Sequence, residues 1–361
     1  MCKLENVMNF STTRVSSSEL NEDNYVSTEN MLQDFQGIVE AKSVPEDMNV
    51  ISFSCGDILI SNIRPYLKKV WRATFNGGCS SDVFVLQAND NIESDYLHYV
   101  VANDKFINFV MSGAKGVKMP RGDKSQMKTY SLSLPQLQEQ HKIARLLSLL
   151  DERIAAQNKI IEDLKKLKCA IIEKLYTKIQ GKEYSYGQLF DVVNERNKQM
   201  EYSNILSASQ EKGMVNRDDL NLDIQFERSN INTYKIVREG DYVIHLRSFQ
   251  GGFAFSDKLG VCSPAYTILR PNSLLEHGYL SYYFTSQRFI KSLIIVTYGI
   301  RDGRSINVEE WLNMKVVIPA KEHQLHTLNV LKSIDYKIVN EETYATCLSN
   351  QKQYLLRQMF I

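Results

Sequence analysis

The chain has 361 residues, of which 43% are hydrophobic and 24% are charged, and its formal net charge is +1. This composition is typical of a globular protein of about two domains and excludes a low-complexity or disordered chain. No run approaches the ~20 apolar residues of a membrane span, and the N-terminus lacks the apolar core of a signal peptide, so we expect a cytoplasmic protein. Because the net charge is close to zero, any nucleic-acid surface must come from local clusters of cations.

Each half of the chain is predicted to begin with a strand-rich region. Strands are expected within residues 50–60 and 83–87 of the first half and within residues 234–244 and 266–270 of the second. Gly56-Asp57 and Gly240-Asp241 interrupt the first strand region of each half, and we interpret both aspartates as turn residues and not as catalytic acids. An amphipathic helix follows at residues 95–111 and again at residues 278–295. A basic loop that contains glycine then leads to a short strand before Pro135 or Pro319.

These matching elements lie 183 or 184 residues apart, and identical pairs such as Tyr96-Leu97 and Tyr279-Leu280 recur at the same spacing. A solenoid repeat is much shorter, about 20–50 residues. We therefore interpret the chain as two copies of one module, which predicts a protein that contacts two similar objects or one two-fold object.

A long helix is predicted after each proline, and its apolar residues recur every three or four positions. Gln157 and Lys168 interrupt the first stripe, and Glu341 and Lys352 interrupt the second at matching positions. A stripe this narrow favours pairing of the two helices in an intramolecular coiled coil; the alternative is a helix lying on the core of its own module. About 40 helical residues would span roughly 60 Å. The predicted seam comprises Leu147, Leu150, Ile154, Ile161, Leu164, Ile171, Leu331, Ile334, Ile338, Leu348 and Leu355.

The start of the first long helix carries the most specific pattern in the chain. It resembles the conserved region of the specificity (S) subunits of type I restriction-modification enzymes, and the matching residues are Leu134-Pro135, Glu139-Gln140, Ile143-Ala144, Leu150-Asp151 and a lysine-rich heptad helix that runs to about Lys178. The second copy is degenerate, since it keeps Ile318-Pro319 but has His323-Gln324 and Thr327-Leu328 at the corresponding places.

The resemblance implies an α+β fold in which two similar mixed α/β target-recognition domains are separated by two long helices that form an antiparallel intramolecular coiled coil. The expected boundaries are residues 1–134 and 183–318 for the recognition domains and 135–182 and 319–361 for the spacer helices. Each recognition domain would read one half of a bipartite, asymmetric site in double-stranded DNA, and the helices would set the gap between the halves. Two methyltransferase (modification) subunits would dock, restriction (translocase-nuclease) subunits would join them, and the S subunit itself would catalyse nothing.

Motifs for chemistry are weak in this sequence. It has no Pro-Pro dipeptide of the kind found in adenine methyltransferase motifs and neither GxGxxG nor GxxxxGK[ST], so we expect no cofactor. Ser125 and Lys128 match a serine–lysine acylase pattern by letter alone. His323 and His326 have a spacing that suits metal ligands, but the matching residues of the first copy are not histidines, so we predict no metal site. The six cysteines lack CxxC spacing and are expected to be reduced thiols.

DNA contact requires cations and amides that can reach phosphates and base edges. The first module has two basic clusters, and the second has candidates at matching positions, with Arg64 and Arg247 183 residues apart. The alternative for each candidate is a solvated loop or an ion pair with a neighbouring carboxylate. The predicted DNA-binding residues are Arg64, Lys68, Lys69, Arg72, Lys115, Lys118, Arg121, Lys124, Arg247, Gln250, Arg301, Arg304 and Asn307.

Two other functions stay open at this point. One is a duplicated coiled-coil scaffold that binds only protein, which would not retain DNA in a sequence-specific way together with a methyltransferase. The other is the DNA-binding part of a fused methyltransferase or nuclease, against which the missing motifs argue.

Overall fold

The computed structural model of the chain describes residues 1–177, 179–209, 212–219, 228–245, 252–298 and 305–360, with the backbone alone for residues 228–230. The chain divides into two compact units, Met1–Asn158 with Thr343–Ile361 (unit 1) and Lys159–Glu342 (unit 2). Two long helices, Leu137–Thr177 (long helix 1) and Lys321–Met359 (long helix 2), each contribute one part to each unit. A unit is therefore one copy of the repeated module together with a segment of both helices.

Two four-stranded sheets form the centre of the module in unit 1. The first is antiparallel throughout and has the strand order Met8–Phe10, Val83–Ala88, Ile58–Ser61, Val70–Arg72. The second has the order Arg14–Ser16, Asn49–Phe53, Gly77–Cys79, Tyr25–Val26, with its last pair parallel. A short antiparallel pair, Cys2–Lys3 with Ser131–Leu132, closes the module. Its helices are Ser94–Val101, Asp104–Ser112 and Lys124–Lys128, and its 3-10 turns are Leu4–Asn6, Ser17–Glu19 and Pro65–Leu67.

The first sheet of unit 1 recurs in unit 2 with the matching strands in the same order, namely Phe190–Val193, Thr267–Pro271, Tyr242–Ile244, Phe253–Phe255. The other strands of unit 2 form antiparallel pairs, which are Lys182–Ser185 with Lys315–Ile318, Leu206–Ser209 with Gly213–Asn216, Lys235–Val237 with Gly260–Cys262, and Thr297–Tyr298 with Ser305–Ile306. Its helices are Tyr279–Tyr283, Gln287–Ser292 and Val308–Asn313, and its 3-10 turns are Tyr186–Gln188, Arg217–Asp219, Arg228–Thr233 and Leu293–Val296.

The long helices run antiparallel inside each unit. In unit 1 Asp151 bonds to Lys352, while Arg153, further along the first helix, donates from Nε to the hydroxyl of Tyr344 at 3.0 Å. In unit 2 Lys165 pairs with Glu342 at 2.7 Å and Lys168 bonds to Asp335. The partner's number falls as the first helix advances, which confirms the predicted antiparallel coiled coil.

The predicted seam residues lie on the buried or half-buried face of the long helices, and the four polar interruptions lie on the same face. The helices also cover the module cores, because Leu147 and Phe360 belong to the cluster of Leu97 and Phe106 in unit 1. Leu331 does the same in the core of unit 2. Helix pairing and packing on the module, which the sequence presented as alternatives, therefore coexist.

The predicted helix at residues 95–111 is wrong in one respect, since it is two helices that meet at Asn103. The Asn103 side chain donates to the carbonyl oxygens of Tyr99 and Val100 and accepts from the amide of Phe106 at 3.0 Å. An asparagine that bonds its own backbone in this way caps a new helix instead of continuing the old one. Ser286 starts a helix at the matching position of unit 2, by accepting from the amide of Phe289.

Candidate nucleic-acid interface

The two basic clusters predicted in the first module meet in space. The amide of Arg64 donates to the carbonyl of Pro120 at 2.8 Å, and the amide of Gly122 donates to the carbonyl of Asn62 at 3.0 Å. An isolated bridge also pairs Ile63 with Arg121. The segment that carries Arg64 is thus bonded along its backbone to the loop that precedes the spacer.

That loop is a β-hairpin, residues 115–121, which we call the basic hairpin. Lys115 and Arg121 exchange both backbone hydrogen bonds, at 3.0 and 2.9 Å. Gly116, at the start of the tip, has φ +95°, a conformation that glycine adopts without strain. Lys118 is exposed at the tip and has no ion-pair partner in the part of the chain that the structure describes.

Arg64 is exposed in a left-handed conformation (φ 50°) at the start of the 3-10 turn Pro65–Leu67, and Lys68 closes the turn at φ 55°. Left-handed backbone at non-glycine residues is uncommon and typically costs of order 1–3 kcal/mol, so the surrounding structure must hold it. Hydrogen bonds from Leu67 to Arg64 and from Lys68 to Pro65, at 2.9 and 2.8 Å, hold this one. Among the described residues the Arg64 guanidinium has no carboxylate partner.

Three of the predicted contacts in this cluster already have partners within the module. Lys68 pairs with Asp104 at 2.7 Å, and Arg72 pairs with Asp95 at 2.5 Å. Lys69 donates to the carbonyl of Thr28 at 2.6 Å, and burial lowers the pKa of its ammonium group. These side chains fasten neighbouring elements, so they fit the alternative of internal anchoring better than DNA contact.

The second basic cluster, in residues 115–128, contains one cation that packs inside the module and two that pair at its surface. Lys124 lies over the rings of Phe10 and Phe84, 5.0 and 4.7 Å from their centroids, and burial lowers the pKa of its ammonium group. Lys115 and Arg121 form pairs at the exposed edge of the basic hairpin, with Asp123 at 2.9 Å and Asp82 at 2.7 Å. Exposed pairs of this kind contribute little, with a median of about 0–1 kcal/mol, so both cations can exchange a carboxylate for a phosphate.

Unit 2 has a matching backbone pairing. Tyr298 pairs with Ser305 where Lys115 pairs with Arg121, and residues 299–304, with the predicted contacts Arg301 and Arg304, lie outside the described residues. Arg247 and Gln250 also lie outside them. Asn307 is described, and its side chain caps the helix Val308–Asn313 by accepting from the amide of Glu310 at 3.3 Å. Asp123 caps a helix at the matching place in unit 1.

The repeated aspartates have the expected turn role. Asp57 accepts from the amide of Ser54 at 2.9 Å, and Asp241 accepts from the amide of Arg238 at the same distance. Gly56 and Gly240, which precede them, have φ +95° and +94°. The pattern Gly-Asp is therefore explained by the turn itself.

The remaining chemical candidates show no assembled site. His323 and His326 are exposed at the start of long helix 2, and Ser125 and Lys128 are exposed on one short helix. All six cysteines are free. The described ranges contain no group of three or more His, Cys, Asp or Glu that could hold a metal ion. No helix within those ranges is long and apolar enough to cross a membrane.

Sequence reasoning overlooked three exposed apolar residues at this surface. Val117 and Met119 lie at the tip of the basic hairpin on either side of Lys118, and Tyr66 follows Arg64. The glycines at positions 113, 116 and 122 were a signal for a hairpin, but a search for cations gave no reason to consider the apolar residues between them.

Residues 2–166 match the family described as type I restriction modification DNA specificity domain. The MjaVIII specificity subunit of Methanocaldococcus jannaschii is 28% identical over 293 residues, which cover 72% of this chain and 68% of that protein. The putative MjaX specificity subunit of the same organism is 25% identical over 318 residues, covering 80% and 74%.

The fold agrees with these similarities. A chain in a solved structure of the type I R-M system superimposes with a TM-score of 0.64 at 16% identity, covering 99% of this chain and 96% of that one. The match over nearly the full length includes both modules and both long helices. Residues 2–166 therefore belong to the type I restriction modification DNA specificity domain family, and over nearly its full length the chain is similar to type I restriction-modification specificity subunits.

Proposed function

We propose that each unit of this specificity subunit reads one half of a bipartite, asymmetric target in double-stranded DNA. One observation carries the proposal: the same backbone pairing occurs on both modules, between Lys115 and Arg121 and between Tyr298 and Ser305, and a side-chain cap and a short helix follow it each time. The two copies have different residues between the paired positions, which suits a target with two different halves. The proposed functional division is residues 1–134 and 183–318 for reading and 135–182 and 319–361 for spacing.

Arg64 and the basic hairpin supply the phosphate contacts in unit 1. Arg64 and Lys118 have no carboxylate partner in the described chain, and Lys115 and Arg121 are exposed cations paired with half-buried carboxylates. Phosphate contacts fix the register of a protein on DNA, while base edges supply the sequence information. Cations held on a hydrogen-bonded backbone are suited to fixing the register.

Two methyltransferase subunits dock on the long helices in this proposal, and restriction subunits join that complex. The support is the apolar surface that the helices leave exposed. Leu146 and Leu149 lie in unit 1, and Leu325, Tyr336 and Val339 lie in unit 2. Exposed apolar patches mark interaction sites in globular proteins. The two sets do not occupy matching positions of the repeat, so the two docking surfaces differ in detail.

The chain carries out no catalysis of its own in this proposal and acts in the cytoplasm, where the methyltransferase modifies the DNA. The missing methyltransferase and nucleotide-binding motifs support this division of labour.

The test uses the chain assembled with its methyltransferase, after the target has been located by mapping methylated adenines. Arg64→Ala should weaken binding to the intact target about tenfold, or ~1.4 kcal/mol, and should lower the salt dependence by about one phosphate contact. Truncating the duplex so that the half-site read by unit 1 and its phosphates are absent should abolish the difference between variant and wild type. Truncating the other half-site should leave that difference unchanged.

Lys42→Ala removes another exposed cation of unit 1 and serves as the control. Equal effects of Arg64→Ala on both truncated targets would refute the assignment of one module to one half-site. Binding by the wild-type complex that ignores sequence altogether would refute the proposed function.

A further inference from the structure

The tip of the basic hairpin carries exposed apolar side chains, and the base of the hairpin is fixed to the module. Val117 is fully exposed, with a relative accessibility of 102%, and Met119 is 47% exposed. Single exposed apolar residues are ordinary in proteins. These two, however, project from the end of a hairpin whose base is tied to the module at several points.

The base of the hairpin is closely fitted. A Cβ on Gly122 would lie 2.8 Å from the side chain of Met127, and a Cβ on Gly113 would lie 2.2 Å from Gln126. Gln126 in turn donates to the carbonyl of Phe109 at 2.7 Å. The module therefore holds the tip in a fixed direction before any partner arrives, which lowers the entropic cost of binding.

The surroundings of the tip are positively charged. Arg64 is bonded to the hairpin through Pro120, and Lys118 lies between the two apolar side chains. An apolar protein partner would gain nothing from these cations, whereas a DNA groove is bordered by phosphates on both sides. Charge complementarity thus favours DNA as the occupant.

We propose that the basic hairpin enters the major groove of the half-site read by unit 1, and that Val117 and Met119 recognise thymine there by contact with its methyl group. The inference rests on the proposed function and specifies how one half-site is read. A two-stranded β-ribbon fits the major groove, which is about 12 Å wide, and the C5-methyl of thymine is the apolar group exposed in it. Lys118 and Arg64 then lie towards the flanking phosphates.

The experiment selects bound sequences from duplex DNA randomised in both half-sites, using the assembled complex with its methyltransferase. Val117→Ala combined with Met119→Ala should relax the preference for an A·T pair at one or two positions of the half-site read by unit 1, by about tenfold at each. The other half-site should keep its preferences. Val39→Ala removes an exposed valine elsewhere on the module and is the control, which should leave the preferences at both half-sites unchanged.

A second measurement identifies the contacted group. Replacing thymine by deoxyuridine at each relaxed position removes only the methyl group, so it should weaken the wild-type complex about as much as the double variant is weakened. It should leave the double variant unaffected.

Three outcomes would overturn the inference. They are unchanged preferences in the double variant, a uniform loss of affinity with the preferences intact, and relaxation at positions that contain no thymine. A wild-type complex that selects no sequence would instead refute the proposed function, so the two failures are distinguishable.

Discussion

The two units join the long helices to their modules through the same polar contact, but they anchor their central sheets differently. In unit 1 the Tyr99 hydroxyl donates to Asp151 at 2.8 Å, and Lys352 of the opposite helix bonds to the same carboxylate. In unit 2 Tyr282 donates to Asp335 at 2.7 Å, and Lys168 is the lysine from the opposite helix. Both lysines also lie over the tyrosine rings, at 5.5 and 5.2 Å from the centroids.

The sheet anchors differ at the turn aspartates. Asp57 accepts from the side-chain Nε2 of Gln87 at 3.2 Å, whereas Asp241 accepts two hydrogen bonds of 2.9 Å from the guanidinium of Arg270 at the matching position. The aspartate has a neutral partner in one copy and a charged partner in the other, so this position of the sheet accepts either residue type. The contact between tyrosine, aspartate and lysine that joins the helices to the module, which we call the joint, has the same three residue types in both copies.

The largest effect should come from the glutamines that clamp each helix to its module. Gln140 is fully buried; it accepts from the amide of Glu93 at 2.9 Å and donates to the carbonyls of Pro135 and Asn91 at 2.8 and 3.2 Å. Gln140→Ala leaves these groups unpaired, at about 1–3 kcal/mol for each buried group, and should destabilise unit 1 by about 3–4 kcal/mol in total.

Gln324 makes the matching bonds in unit 2, including one from the amide of Glu276 at 2.8 Å. Gln324→Ala should therefore cost unit 2 a similar amount. Amide hydrogen exchange, read separately for each unit, measures both effects. Gln138→Ala, at an exposed position two residues before Gln140, should change neither unit. A large difference between the two glutamine variants would show that the two glutamines are not equivalent in the two units.

The sequence predicted the buried faces of the long helices better than it predicted which side chains pair with each other, for a physical reason. Heptad spacing identified the buried face of both long helices, because periodicity alone decides which residues share a face. The same spacing marked Lys168 and Lys352 as interruptions without showing that Asp335 and Asp151 pair with them. Such partners lie far apart in the chain, 167 and 201 residues in these two cases.

The sequence could not show which cations of the basic clusters are already paired, for the same reason. Lys68 and Lys69 are adjacent in the sequence to the exposed Arg64 segment, but Asp104 and Thr28 already bind them in the fold. Gln140 was recognised as part of a family pattern, and its three hydrogen bonds supply the physical account of that pattern. The pattern marked Gln140 and not the exposed Gln138, but it did not show that Gln140 is buried.

The next largest effect is expected at the shared joint. Asp151→Ala leaves Lys352 and the Tyr99 hydroxyl without their acceptor, and Asp335→Ala does the same to Lys168 and Tyr282. Removing one partner of a buried pair costs about 3–5 kcal/mol, and these pairs are only half-buried, so we expect about 2 kcal/mol in each unit. Exchange protection of each unit measures the loss.

Replacing the pair in unit 1 by apolar residues (Asp151→Leu with Lys352→Met) should cost less than Asp151→Ala, because no charge is left unpaired. A double variant less stable than the single one would contradict this. Unequal effects of Asp151→Ala and Asp335→Ala would show that the two joints, alike in geometry, differ in energy.

The smallest effect tests a group that only unit 1 has. His98 lies among Lys352, Asp151 and Arg72, where Ser281 stands in unit 2, and its Nδ1 is buried without a hydrogen-bond partner in the described part of the chain. Burial, helped by the two cations, lowers the pKa of His98 from 6.5 to about 4. Below pH 6.5 His98 is protonated in the unfolded chain, whereas in the folded unit it stays neutral until about pH 4. Unit 1 therefore loses stability as the pH falls through this window. Since the side chain is only partly buried by area, we expect a loss of about 1 kcal/mol in the stability of unit 1 at pH 5.

His98→Ser should remove this extra acid sensitivity. The measurement is the hydrogen-exchange protection of Ser94–Val101 at pH 7 and pH 5, with Tyr279–Tyr283 as the internal control. An acid response of unit 1 that persists in full in the variant would assign it to the carboxylates and not to His98.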